Sequence, residues 1–172
     1  MTPFLSRLAG AAAFAASVAS AHAKDAVVIE APAGAVRGVE EDGVQSFKGI
    51  PYAAAPVGDL RWKAPEPAPA WEGTLDASKY GPGCMQFRAD PTSIYAENLK
   101  KVSEDCLSLN IWKPKDAEKA PVFVWIHGGA LRGGANSLSM YEGEALAESG
   151  VIVVSINYRL GVLGYLAHPE LS

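Results

Sequence analysis

Cysteine and histidine are both scarce here, with two cysteines and three histidines in 172 residues. There is no C-x-x-C pair and no His close to either cysteine, so no zinc-type ligand set is on offer. Runs of Lys or Arg are missing, as is any interleaving of aromatic with basic residues. With a formal net charge of −4, this excludes nucleic acid as an expected partner. Neither G-x-x-x-x-G-K-[ST] nor G-x-G-x-x-G occurs, which removes the two common phosphate-cradling loops. The serine-bearing turn G-x-S-x-G is absent as well. What remains is 49% hydrophobic and 20% charged, the composition of an ordinary globular domain rather than of a disordered or coiled-coil chain.

The first residues, MTPFLSRLAGAAAFAASVASAHA, form a separate unit. A short segment ending in Arg7 leads into the apolar stretch Leu8 to Val18, which is too short and Ala-rich to span a bilayer comfortably. Ala21-His22-Ala23 is an A-x-A cleavage pattern, so residues 1–23 are expected to be a signal peptide cut after Ala23. The mature chain, 24–172, is then expected outside the cytosol, secreted or periplasmic, with no stable membrane anchor. In that compartment Cys84 and Cys106 are an even pair suited to one structural disulfide. Closing a loop of about 22 residues is worth on the order of 3 kcal/mol in the chain-entropy model.

Short β segments open the mature chain: Val27 to Ile29, Ala35 to Val39 and Val44 to Phe47, with Glu41-Asp42-Gly43 as a hairpin turn. The next segment carries Pro51, Pro56, Pro65, Pro67 and Pro69. Proline lacks the N–H and fixes φ, so this stretch is predicted to be an extended coat, pinned by Tyr52, Trp62 and Trp71. The cysteine loop follows, with a short helix expected around 94–101. Leu107 to Trp112, Val122 to Ile126 and Val151 to Asn157 read as strands, the last two apolar enough to be buried on both faces. Between those two, SMYEGEALAESG has helix formers and a Gly stop. Strand, glycine loop, helix and strand make a β-α-β unit with a parallel crossover.

His127-Gly128-Gly129-Ala130 thus falls at the C-terminal end of a strand, where open α/β sheets bind ligands. Glycines there let backbone N–H groups approach a ligand without a Cβ in the way. With the phosphate patterns missing, an oxyanion-holding loop fits better than a phosphate cradle, the other reading being a Gly-rich turn with no ligand at all.

Four blocks in order, FKGIPYAAAPVGDLRWKAPEP, SEDCLSLNIW, PVFVWIHGGALRGG and VIVVSINYRLGVLGYLAHPEL, closely resemble the N-terminal part of carboxylesterase type-B enzymes, the cholinesterase-containing family. The resemblance implies an α/β-hydrolase fold, of which this chain holds only the N-terminal part: the β-hairpin region plus the first strands of a mostly parallel central sheet. It implies a serine esterase acting on a small-molecule carboxylic ester, with no metal or organic cofactor; the alternative is a catalytically silent, cholinesterase-like binding or adhesion domain, since the same fold hosts members without a working triad, or a non-functional gene fragment. It pairs Cys84 with Cys106, joins Arg61 to Glu104 as a structural ion pair, and gives Asn157-Tyr158-Arg159 a scaffolding role. For chemistry it points to Gly128, Gly129 and Ala130 as the oxyanion loop. The N–H groups of Gly129 and Ala130 are the expected donors, with Gly128 permitting the turn and His127 part of the loop rather than a base. The family often has a third Gly at the position of Ala130 and an aromatic at that of Leu131. Ser155 reads as a strand residue and His168 as a surface residue. The nucleophilic Ser, its acid and its His are all expected beyond Ser172, which makes the chain a piece truncated before the nucleophile turn and inactive by itself.

Overall fold

The computed structural model describes residues 24–87, 90, 92, 93, 99 and 101–170. The signal peptide expected at 1–23 lies outside them, as does most of the helix expected at 94–101. Nine strands and two short helices occur among the described residues. They are β1 (Asp25–Ala31), β2 (Gly34–Glu41), β3 (Val44–Pro51), β4 (Thr74–Asp76), β5 (Gly83–Cys84), β6 (Val102–Ser103), β7 (Ser108–Pro114), β8 (Val122–Ile126), α1 (Glu144–Glu148), β9 (Ile152–Ile156) and α2 (Gly161–Tyr165).

The main sheet runs β1-β2-β3-β7-β9-β8, with β4 added alongside β2. β1, β2 and β3 are antiparallel neighbours. Their second turn is Asp42-Gly43, at φ 50° and 80°, the doubly left-handed conformation of a two-residue hairpin that Asp-Gly favours. β7 pairs antiparallel with β3 and with β9. Parallel pairing enters with β4 on β2 and with β8 on β9, the latter in register from Val122↔Ile152 to Ile126↔Ile156. The sheet is therefore mixed: hairpin connections build the N-terminal half, and the predicted β-α-β crossover adds the parallel edge.

Alternation along β7 buries Ser108, Asn110 and Trp112 on one side. Trp112 packs with Val44, Ala147 and Val153, so α1 closes over the middle of the sheet. A second cluster, Val36, Phe47 and Ala77, fills the hairpin region beneath Trp71. α1 is shorter than its sequence pattern because Ser139–Tyr141 forms a 3₁₀ turn before it. It stops where Val151 N–H bonds Leu146 C=O and Gly150 N–H bonds Ala147 C=O, the paired bonds of a Schellman end.

β8 departs from expectation. Its apolar run predicts burial on both faces, yet Val122, Val124 and Ile126 are 60%, 53% and 61% exposed. The reason is position: β8 is the outer strand of the described sheet, bonded on one side to β9 alone. An apolar composition states what a strand can bury, not that a neighbour is there to bury it.

The proline segment departs from expectation at Pro51, which closes β3 opposite Ser108, and at Gly58–Leu60, a 3₁₀ turn; the rest is the extended coat the sequence predicts, and hydrogen bonds do the pinning. Tyr52 Oη donates to Asn157 C=O at 2.7 Å, Trp62 Nε1 to Val162 C=O at 2.9 Å and Trp71 Nε1 to Ala35 C=O at 2.8 Å. Cys84 and Cys106 are disulfide-bonded, with Cα atoms 5.0 Å apart. Arg61 forks onto Glu104, its Nε and Nη2 donating to the two carboxylate oxygens at 2.6 and 2.7 Å. That ties the coat to the residue two before Cys106. Among the described residues no helix is long and apolar enough to cross a membrane.

Candidate active site

β8 ends at Ile126, and the chain then turns sharply through His127 to Gly134. Gly129, Ala130 and Leu131 take φ of 124°, 53° and 60° in succession. Three left-handed residues in a row are costly for side-chain-bearing residues, at about 1–2 kcal/mol each for Ala130 and Leu131. The conformation at Ala130 gives a physical reason for the family's frequent glycine there.

The need for glycine falls on Gly129 and Gly134. A Cβ on Gly129 would lie 1.9 Å from Gly133 C=O, and one on Gly134 would lie 2.5 Å from His127 Nδ1. Gly128 differs from its expected role. Its φ is not positive and a Cβ there would meet nothing within 4 Å, so the turn does not depend on it, and its bareness instead leaves the loop's outer side open.

Buried polar groups hold the loop from behind. Gly129 C=O accepts from Arg132 N–H at 3.0 Å and from Gly133 N–H at 3.2 Å. Gln86 grips Gly134 twice, its Nε2 donating to Gly134 C=O and its Oε1 accepting from Gly134 N–H, both at 2.8 Å. At the loop exit Asn136 N–H donates to Asn157 Oδ1 at 2.8 Å, while Asn136 Nδ2 donates to Ser108 C=O at 3.0 Å. Asn110 Nδ2 donates to Asn136 C=O at 3.1 Å. All three asparagines are fully buried, where each lost partner would leave a desolvated polar group, so together they fix a single loop position. Sequence reasoning missed Gln86, Asn110 and Asn136. The available signal was the placement of amides inside otherwise apolar strand and loop segments.

His127 is buried at 2% exposure. Its ring stacks on Tyr158 at 4.5 Å between centroids, and Tyr158 Oη donates to His127 C=O at 2.9 Å. His127 Nδ1 lies 2.8 Å from Gly128 C=O. Burial pushes its pKa down and so favours the neutral ring, partly opposed by that contact. Asn157, Tyr158 and Arg159 all act as scaffold: Asn157 through Asn136 and Pro82, Tyr158 through His127, and Arg159 Nη2 by donating to Lys63 C=O at 2.9 Å. Ser155 is buried within β9, and His168 is exposed near the end of the described residues.

In front of this framework lies an open pocket of about 440 Å³ lined by His127 to Leu131 with Tyr158 and Tyr165. Among the described residues the N–H groups of Gly129 and Ala130 have no acceptor. A larger apolar trough of about 790 Å³ adjoins it across Ala130 and Leu131. No group of three or more potential metal ligands occurs among the described residues. Two adjacent free donors on a locked loop at the end of a strand form an anion-holding arrangement.

A carboxylesterase family model matches residues 25–171. The chain belongs to the carboxylesterase family. It is similar to the fumonisin B1 esterase of Sphingopyxis macrogoltabida, 50% identical over 141 residues, which cover 81% of this chain and 25% of that protein. It is also similar to the para-nitrobenzyl esterase of Bacillus subtilis (strain 168), 51% identical over 135 residues, 77% of this chain and 27% of that one. A solved PNB esterase superposes with a TM-score of 0.78 at 46% identity, covering 83% of this chain and 30% of its own. The fold is thus that of part of an α/β-hydrolase, and this carboxylesterase chain spans about a quarter of the length of the relatives it matches.

Proposed function

We propose that this chain is the N-terminal portion of an exported carboxylic-ester hydrolase and that it supplies the oxyanion-holding loop of the active site. The observation that carries the reading is the pair of N–H groups at Gly129 and Ala130, acceptor-free among the described residues, on a loop held from behind through Gly129 C=O and both polar groups of Gly134.

In this reading a serine from the remainder of the protein attacks the ester carbonyl carbon as a histidine takes its proton. The carbonyl π pair moves onto oxygen, and Gly129 and Ala130 donate to that oxyanion. Its collapse expels the alcohol, which receives the proton from the histidine. Water then repeats the sequence on the acyl-enzyme and releases the acid. Loss of one such donor typically costs 10²–10³ in kcat, about 2.7–4 kcal/mol. Ala130 retains its N–H where the family often has glycine, so the hole keeps its second donor, while its methyl and Leu131 reshape the neighbouring pocket. Export accords with the A-x-A pattern at Ala21 to Ala23 and with the Cys84–Cys106 disulfide.

The test is to sequence the locus past the Ser172 codon, express the continuing frame and assay it on p-nitrophenyl acetate. Turnover that disappears with the serine of a downstream G-x-S-x-G is the expected result. A complete protein that binds esters without turning them over would overturn the hydrolase reading. N-terminal sequencing of the exported protein checks the cut, with Lys24 expected first.

A further inference from the structure

We propose that His127 is a positioning residue that aims the Gly129 N–H at the oxyanion by holding the other end of the same peptide plane. The inference rests on the oxyanion-hole reading and extends it from the backbone donors to a side chain that acts on one of them.

The argument begins with peptide geometry. Gly128 C=O and Gly129 N–H belong to one peptide unit, which is planar and trans, so the two groups point in opposite directions; no cis bond occurs among the described residues. Fixing the carbonyl therefore fixes the N–H. His127 Nδ1 lies 2.8 Å from that carbonyl oxygen. A carbonyl can only accept, so the proton must sit on Nδ1, and the neutral ring carries it there rather than on Nε2. Nε2 is buried with no partner among the described residues, so nothing else in this framework recruits the proton to it.

The next peptide is treated the same way by different means. Gly129 C=O is held by Arg132 N–H and Gly133 N–H, which directs Ala130 N–H to the opposite side. Each of the two donors is thus aimed through its partner carbonyl, one by backbone and one by His127. The ring itself cannot drift. Tyr158 stacks on one face, and Gly134 comes so close to the ring that a Cβ there would stand 2.5 Å from Nδ1. Such preset donors need no reorganisation when charge develops, which is what makes an oxyanion hole effective.

Two substitutions separate aiming from packing. In the complete protein His127→Phe keeps the ring and its stack on Tyr158 but loses the donor. His127→Asn loses the stack but places an amide N–H near the position of Nδ1. Positioning predicts that kcat falls on the order of 10²-fold in His127→Phe with KM little changed, and that His127→Asn recovers most of the loss. A purely structural role predicts the reverse order, and that order would overturn the proposal. A second measurement needs no turnover. In ¹⁵N spectra of histidine-labelled protein without substrate, assigned by difference from His127→Phe, the His127 proton is expected on Nδ1. A proton on Nε2 alone would overturn the proposal even if the protein proved to hydrolyse no ester. An inactive wild type with Nδ1 protonated would count against the hydrolase reading while leaving the loop geometry as described.

Discussion

β7 and β8 make an instructive pair. By sequence β8, VFVWI, is the more apolar strand, and β7, SLNIWKP, carries serine, asparagine and lysine. In the folded chain their environments are inverted. Trp112 and Asn110 of β7 are fully buried, whereas most of β8 is exposed. β7 has a neighbour on each side and α1 above it, while among the described residues β8 is bonded only to β9. The candidate site stands at this boundary. Its loop leaves the exposed strand, yet it is fixed from the buried side by Gln86, Asn110, Asn136, Asn157 and Tyr158. Order in the loop therefore comes from side chains before β7, within β7 and just after β9, and not from the strand that carries it.

The largest effect expected from this contrast is on packing. Trp112→Ala should lower stability by about 3–5 kcal/mol, whereas Val124→Ala in β8 should change it by less than about 0.5 kcal/mol. Urea unfolding of the two variants measures both, and equal effects would erase the distinction between the strands. Next comes the disulfide. Replacing Cys84 and Cys106 together by serine should cost on the order of 3 kcal/mol, read as a lower thermal midpoint. It should also raise amide exchange at Gly134, because Gln86, which holds that residue, lies two positions from Cys84. Ala130→Gly should do the opposite on a smaller scale. Relief of the left-handed conformation at φ 53° is partly offset by glycine's extra chain entropy, leaving a gain of up to about 1 kcal/mol.

The smallest effect concerns Arg61 and Glu104 and is a matter of pH. The Arg61 guanidinium holds the Glu104 carboxyl below its ordinary value of 4.5. Folding therefore opposes protonation, so the contribution is present above that ordinary value and is lost as pH falls through the depressed one. Both side chains are partly exposed, so the effect is modest. The thermal midpoint of wild type should exceed that of Glu104→Gln at neutral pH, and the gap should close in acid. A gap that persists once Glu104 is protonated would show that the pairing is not its source.

Much of this framework is legible in the residues alone. Asp42-Gly43 fixes a hairpin because few dipeptides accept two left-handed residues, and the prolines from Pro56 to Pro69 keep that stretch extended over the sheet, although Pro51 itself closes β3 opposite Ser108. The family blocks placed the disulfide and the Arg61–Glu104 pair correctly. What sequence could not supply was long-range. The exposure of β8 depends on which strands lie beside it. The shift of the glycine requirement from Gly128 to Gly129 and Gly134 depends on where Gly133 C=O and the His127 ring come to rest. Gln86 is 48 residues from Gly134, and no local pattern links them.

The central claim is that Gly129 and Ala130 hold the oxyanion, and the most direct measurement is a crystal structure of the complete protein inhibited by an organophosphonate ester. Its phosphoryl oxygen takes the place of the oxyanion once the serine has attacked. The account predicts that oxygen 2.7–3.1 Å from the backbone nitrogens of both Gly129 and Ala130. A phosphoryl oxygen bound by other donors, with these two N–H groups turned away, would contradict it.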